Sequence, residues 1–186
     1  GARFLADWAH PRLTPAGIEI LDPAAGARYE ANFGRLVESL RAALAGFRNV
    51  CTHSPWGEYG HAEHIQVHRA VAALQGELGY TLWFPNYVGR RSWPLARQLG
   101  DGIRWSERRV LRPDLAIARR LKRIYSSCGA WTWTRAHRWP RLETLYALPP
   151  ADDGSARSPL SGENLLDVAF LKWWSLPWRT AQRVLQ

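Results

Sequence analysis

Four histidines, His53, His61, His64 and His68, fall within sixteen residues, and Tyr59, Glu58 and Glu63 stand between them. These residue types suit metal-assisted hydrolysis. Neutral imidazole binds zinc, a nearby carboxylate fixes the ring's tautomer, and a free imidazole or phenol can move a proton or steady an oxyanion. His61, His64 and His68 are spaced i, i+3 and i+7, which places them near one face of any helix that includes all three. The spacing predicts His61 at the start of that helix and His64 in its first turn. There the unpaired N–H groups and the positive dipole end favour neutral imidazole over imidazolium. An H-x-x-H pair alone describes ordinary surface histidines as well as it describes ligands, so its setting carries the inference. His53 sits after a predicted strand, where it either reaches the site as a second metal ligand or caps the loop. His68 reads as structural or solvent-facing, and His10 and His137 have no ligand spacing.

The setting is a strand–loop–helix. Residues 28–45 predict a helix, with Phe33, Leu36, Val37, Leu40 and Leu44 at spacings of three and four and Gly46 as its stop. Phe47 to Thr52 predicts a buried strand, Ser54-Pro55-Trp56-Gly57 a loop, Ala62 to Leu78 a helix ended by Gly79, and Tyr80 to Phe84 a second strand. That order is the rhythm of a parallel sheet, in which ligands bind in the loops after the strands. The expectation is an α/β fold with a mostly parallel sheet. Ile103 to Leu111 reads as an outer strand and Pro113 to Tyr125 as a basic amphipathic helix. The whole chain, 1–186, reads as one domain. Residues 1–27 form an irregular lead-in with turns at Thr14-Pro15 and Asp22-Pro23, and 162–186 a Trp-rich helical segment interrupted at Pro177.

Tyr59-Gly60-His61-Ala62-Glu63-His64, together with the flanking Thr52 to Val71, resembles the second signature of the PIG-L family, also called LmbE-like deacetylases. That signature is commonly G-H-P-D-H after a strand and a glycine-containing loop; here Ala62 replaces its proline and Glu63 its aspartate. Leu82 to Val88 and Trp131-Thr132-Trp133 look like a bacterial branch of the family. The resemblance implies a Rossmann-like fold and zinc-dependent hydrolysis of an N-acetyl group on an amino sugar. His64 matches the zinc ligand and His61 the catalytic histidine. Tyr59 matches a tyrosine near the substrate carbonyl, and Glu63 an acid that orients an imidazole. In the same loop, Trp56 is a candidate wall for a sugar ring, or else core material, and Glu58 is a second candidate substrate contact.

The family's first signature, A-H-P-D-D-E, supplies two more zinc ligands and the general base. Ala9-His10-Pro11 resembles its beginning, but Arg12 and Leu13 stand where the acids belong, and Asp152-Asp153 has no preceding histidine. Three readings follow. The chain is a fragment, as its lack of methionine suggests; it is an inactive relative that binds a glycan or a protein; or His53 and an acid not identified in the sequence complete an unusual site.

The bulk composition narrows the rest. A hydrophobic fraction of 46% and a charged fraction of 22% are ordinary for a globular protein. Cys51 and Cys128 are not a disulfide framework, so a reducing, cytoplasmic setting is expected. No signal peptide or apolar run long enough to span a bilayer is visible. The net charge of +9 comes almost wholly from arginine, Lys122 and Lys172 being the only lysines. A GC-rich genome would produce the same bias. Arg119, Arg120, Lys122 and Arg123 read as a solvated helix face rather than a nucleic-acid site, because no aromatic residues interleave with them in an RNA-binding pattern. A binder of anionic surfaces through that face is a third, weaker functional class. The stretch Phe170 to Arg179 mixes aromatic and basic residues, as membrane-interface segments do, though packing on the domain explains it as well.

Overall fold

The computed structural model describes residues 12–100, 102–131, 137, 139–150 and 166–167. His10, Trp133, Asp152-Asp153 and all of the Trp-rich segment except positions 166–167 lie outside the described residues. The chain divides into two compact units, one of Gly1–Leu111 with Glu143–Val168 and one of Arg112–Leu142 with Ala169–Gln186.

In the first unit, β1 (Leu13–Thr14) and β2 (Gly17–Ile18) pair as a short antiparallel hairpin, so these residues of the expected irregular lead-in are regular structure. Helix α1 spans Pro23–Leu44. It starts five residues before the expected Arg28, because Asp22-Pro23 is a helix start and not a free turn. Pro23 occupies the first helical position, where a missing N–H costs nothing, and the Asp22 side chain accepts a hydrogen bond from Ala25 N at 2.7 Å. Strand β3 (Asn49–Cys51) buries only Val50. Helix α3 (Ala62–Leu78) follows the short kinked turn α2 (Gly57–Gly60) and stops at Gly79, whose φ of 72° is the left-handed cap conformation. Strands β4 (Thr81–Pro85) and β5 (Tyr87–Val88), helix α4 (Trp93–Gly100) and strands β6 (Glu107–Leu111), β7 (Glu143–Leu148) and β8 (Leu166–Asp167) complete the unit. Positions 166–167, expected to be helical, are thus strand.

Four of these strands form one sheet in the order β3-β4-β7-β6. The β3–β4 pair is parallel with α3 between its strands, as the sequence predicts. Both pairs made by β7 are antiparallel. The sheet is therefore mixed, and the expected mostly parallel sheet is corrected. The fold is α/β in class. The core lies between α3 and the sheet, with α1 packed against α3. Leu82 and Phe84 of β4 and Ile65 and Leu74 of α3 belong to one buried cluster, and Trp56, Tyr80 and Tyr146 are fully enclosed with them. Each such side chain contributes about 1.5–3 kcal/mol by leaving water. Buried polar groups are tied in. Gln66 donates to Tyr29 O at 2.7 Å and accepts from Asn32 at 2.8 Å, and Tyr29 donates to Ala62 O at 2.7 Å. These bonds fix the first turn of α3 against α1.

In the second unit, α5 (Leu115–Ser127) begins at Asp114, whose side chain accepts from Ala116 N and Ile117 N. Among the described residues, no helix is long and apolar enough to cross a membrane.

Candidate metal centre

The parallel β3–β4 pair sets the loop in place. Thr52 N donates to Trp83 O at 2.9 Å, extending the ladder by one residue, and His53 comes next, at the carboxyl end of β3. Ser54 and Glu58 then clasp one another. Ser54 N donates to Glu58 Oε1 at 2.7 Å, and Glu58 N donates to Ser54 Oγ at 2.8 Å. Gly57 N donates to Ser54 O, and Trp56 Nε1 donates to Tyr87 O at 2.5 Å. From the far side, Gly89 N and Ser92 Oγ both donate to Glu58 O.

These bonds hold Glu58 at φ 51°, the only positive φ among the described non-glycine residues. Such a backbone costs on the order of 1–3 kcal/mol and persists only where surrounding bonds impose it. Gly57 has φ 65°, and a Cβ there would lie 2.8 Å from Ile65 Cγ1, so glycine is needed for both conformation and space.

The constrained loop aims the Glu58 carboxylate at two imidazoles. Its Oε2 lies 2.6 Å from His64 Nδ1 and 3.1 Å from His53 Nδ1. The His53 and His64 rings stack at 3.8 Å with 11° between their planes, and His61 stacks on the other side of His64 at 4.5 Å and 23°. Tyr59 meets His64 and His61 edge-on, at 5.2 and 5.6 Å. Glu63 Oε2 lies 2.8 Å from His61 Nδ1. His68, under the loop, is buried and shares a hydrogen bond between its Nδ1 and His53 O at 2.7 Å, which pins the His53 backbone.

The electrostatics follow from this packing. Burial pushes the Glu58 carboxyl up, but hydrogen bonds with His53, His64 and Ser54 N outweigh it and hold the group at about 2. Glu58 is an anion at any ordinary pH. Burial, then the neighbouring His64, lowers the pKa of His61 against the opposing pull of Glu63, so its neutral form is favoured. Burial and the charges of Glu58 and Glu63 raise the pKa of Tyr59, which keeps its proton.

His53, Glu58 and His64 can together hold a metal ion, since their ligating atoms all lie within 4.8 Å of one another. Two imidazoles and one carboxylate, with a coordination position left open, are a donor set of catalytic zinc sites. The structure thus gathers six of the seven residues singled out in the sequence: His53, Glu58, Tyr59, His61, Glu63 and His64. Trp56 is the exception. It has no exposed surface and packs edge-on against Phe84 in the core, so it is corrected from a sugar-stacking wall to a buried anchor of the loop. Glu58 also changes role. Its carboxylate is turned inward onto the histidines and is the acid that the sequence did not single out as a metal partner. The supporting Ser54, Gly89 and Ser92 were missed, because none has a spacing that signals a site.

No family model, no curated protein and no solved structure matches this chain. The site is therefore read from its own residues.

Proposed function

We propose that this protein is a zinc-dependent amide hydrolase that removes the acetyl group from an amino sugar or sugar conjugate. The observation that carries the reading is the convergence of His53, Glu58 and His64 on one point, with His61 and Tyr59 beside it. Two imidazoles and one carboxylate suit zinc, which when bound polarises an amide carbonyl and makes water acidic enough to react near neutral pH.

The chain's own groups supply the rest. Glu58 is the carboxylate of this donor set, and its anionic charge balances positive charge there. Glu63 faces Nδ1 of His61, which leaves Nε2 for proton traffic. A neutral His61 takes a proton at Nε2 as water attacks, then delivers it to the departing amine. Tyr59, protonated at neutral pH, donates a hydrogen bond to the oxygen on which charge develops. Both cysteines are free, in keeping with the proposed cytoplasmic setting. The resemblance to PIG-L deacetylases supplies the substrate class, and the PIG-L family itself belongs to this proposal.

The test has two arms. Elemental analysis compares zinc in the purified protein with zinc in His64→Ala. Acetate release is then followed with N-acetylglucosamine and its conjugates. Near-stoichiometric zinc that disappears in the variant, with acetate released only by the zinc-loaded protein, supports the proposal. Zinc without acetate release would leave a metal-bearing glycan- or protein-binding module. No zinc would remove the proposed metal centre.

A further inference from the structure

Helix α5 is exposed on two sides that differ in chemistry. Only Ala118 is buried in it. At 3.6 residues per turn, Arg119, Arg123 and Arg120 follow one another round the exposed surface, and Ile124, Ile117 and Leu121 come next. The three aliphatic side chains expose 48%, 58% and 47% of their surface. Between its ends the helix carries four cations, Arg119, Arg120, Lys122 and Arg123, and no acid. Among the described residues, none of the three arginines pairs with a carboxylate. Arg119, Lys122, Arg123 and Ser126 line an open cleft of about 660 Å³, and the Lys122 ammonium lies 5.2 Å from the centre of the Trp131 ring. From sequence the segment is a basic amphipathic helix whose cations read first as a solvated face and, more weakly, as a binder of anionic surfaces. Solvation accounts for the arginines but not for a continuous aliphatic stripe beside them.

We propose that α5 docks the protein peripherally on an anionic lipid surface. A soluble polyanion would satisfy the arginines and leave Ile117, Leu121 and Ile124 in water. An apolar protein surface would cover the aliphatics and desolvate unpaired guanidinium groups at a cost of binding. A bilayer with anionic headgroups satisfies both. The aliphatic stripe enters the boundary between headgroups and acyl chains, and the arginines extend to the phosphates. Asp114 caps the helix, so it is already formed before contact and binding orders little new backbone. The inference is independent of the metal centre, because every residue it uses belongs to the second unit.

The experiment is flotation of the full chain with phosphatidylcholine vesicles and with vesicles that also contain phosphatidylglycerol. Heparin serves as a soluble polyanion. Wild type is expected to float with the anionic vesicles only, and less as salt rises. Each of Arg119→Gln and Arg123→Gln is expected to weaken binding about fivefold. Ile117→Ser with Ile124→Ser is expected to weaken it about tenfold or more while leaving heparin binding unchanged. All four positions are exposed, and far-ultraviolet circular dichroism verifies that the variants keep their helix. Failure to float with anionic vesicles would overturn the proposal. So would flotation that survives the isoleucine substitutions, which would identify α5 as a simple polyanion site.

Discussion

Glu58 Oε2 lies 2.6 Å from His64 Nδ1, although one residue is held in a strained loop and the other in the first turn of a helix. The same oxygen lies 3.1 Å from His53 Nδ1. One carboxylate therefore sets the orientation of both rings that the metal reading requires, and its loss should be felt there first. Replacing Glu58 with glutamine keeps the shape but removes the charge. Zinc affinity is expected to fall ~10–100-fold or more in Glu58→Gln, and competition with a chromogenic chelator measures it. Unchanged affinity would show that the carboxylate only ties the loop.

Metal should also stabilise the fold. Zinc at a hundredfold excess over its dissociation constant adds about 2.7 kcal/mol to the folded state. For a chain of this size that corresponds to a rise in Tm of roughly 5–10 °C. Differential scanning calorimetry with zinc, and again after chelation, should show the rise and its reversal. In His64→Ala, zinc should leave Tm unmoved.

Gly57→Ala probes the loop from another side. The substitution meets both the positive φ and the 2.8 Å approach of Ile65 Cγ1. A loss of about 1–3 kcal/mol in denaturant stability is expected, with zinc binding impaired because Glu58 is the next residue. Wild-type stability together with wild-type zinc affinity would mean that the loop relaxes at no cost.

The tie between α1 and α3 rests on Tyr29. Its hydroxyl donates to Ala62 O inside the core. Tyr29→Phe removes that bond while the carbonyl still belongs to the first turn of α3, and should cost about 0.5–1.5 kcal/mol. Burial also raises the pKa of the Tyr29 phenol. Its stabilising contribution is present below the unfolded value near 10 and should be lost as pH rises above it. Urea unfolding at pH 8 and at pH 10.5 checks both points, and the alkaline loss should be smaller in Tyr29→Phe.

Acid sensitivity has a matching source in His68. Burial lowers its imidazole to about 4. Between roughly pH 6.5 and pH 4 the unfolded chain binds a proton that the folded chain refuses. The contribution of neutral His68 is complete above that window and is lost as pH falls through it, by about 3 kcal/mol in all. Denaturant midpoints of the chelator-treated protein across this range should fall more steeply for wild type than for His68→Leu. Parallel curves would assign the acid loss to other groups.

The sequence by itself determined most of the local elements and picked out most of the side chains that gather in the candidate site. Apolar spacing marked α3 from Ala62 to Leu78, Gly79 marked its end, and the strands on either side of it followed from short β-prone runs, because periodicity and stop signals are local properties. The cluster from Tyr59 to His64 was legible for the same reason. Tertiary structure decided the rest. Nothing local to Glu143–Leu148 says that β7 enters the sheet between β4 and β6 and runs against both. Such pairing is fixed by contacts between residues far apart in the chain. The burial of Trp56 is likewise a matter of what Tyr87 and Phe84 bring to it. The role of Glu58 was hidden for a sharper reason. Its side chain turns inward only because its backbone has positive φ, and that conformation is held by Gly89 and Ser92, thirty-one and thirty-four residues further on. A strained residue is favoured by its surroundings and not by its own sequence, so only the folded chain shows where it points.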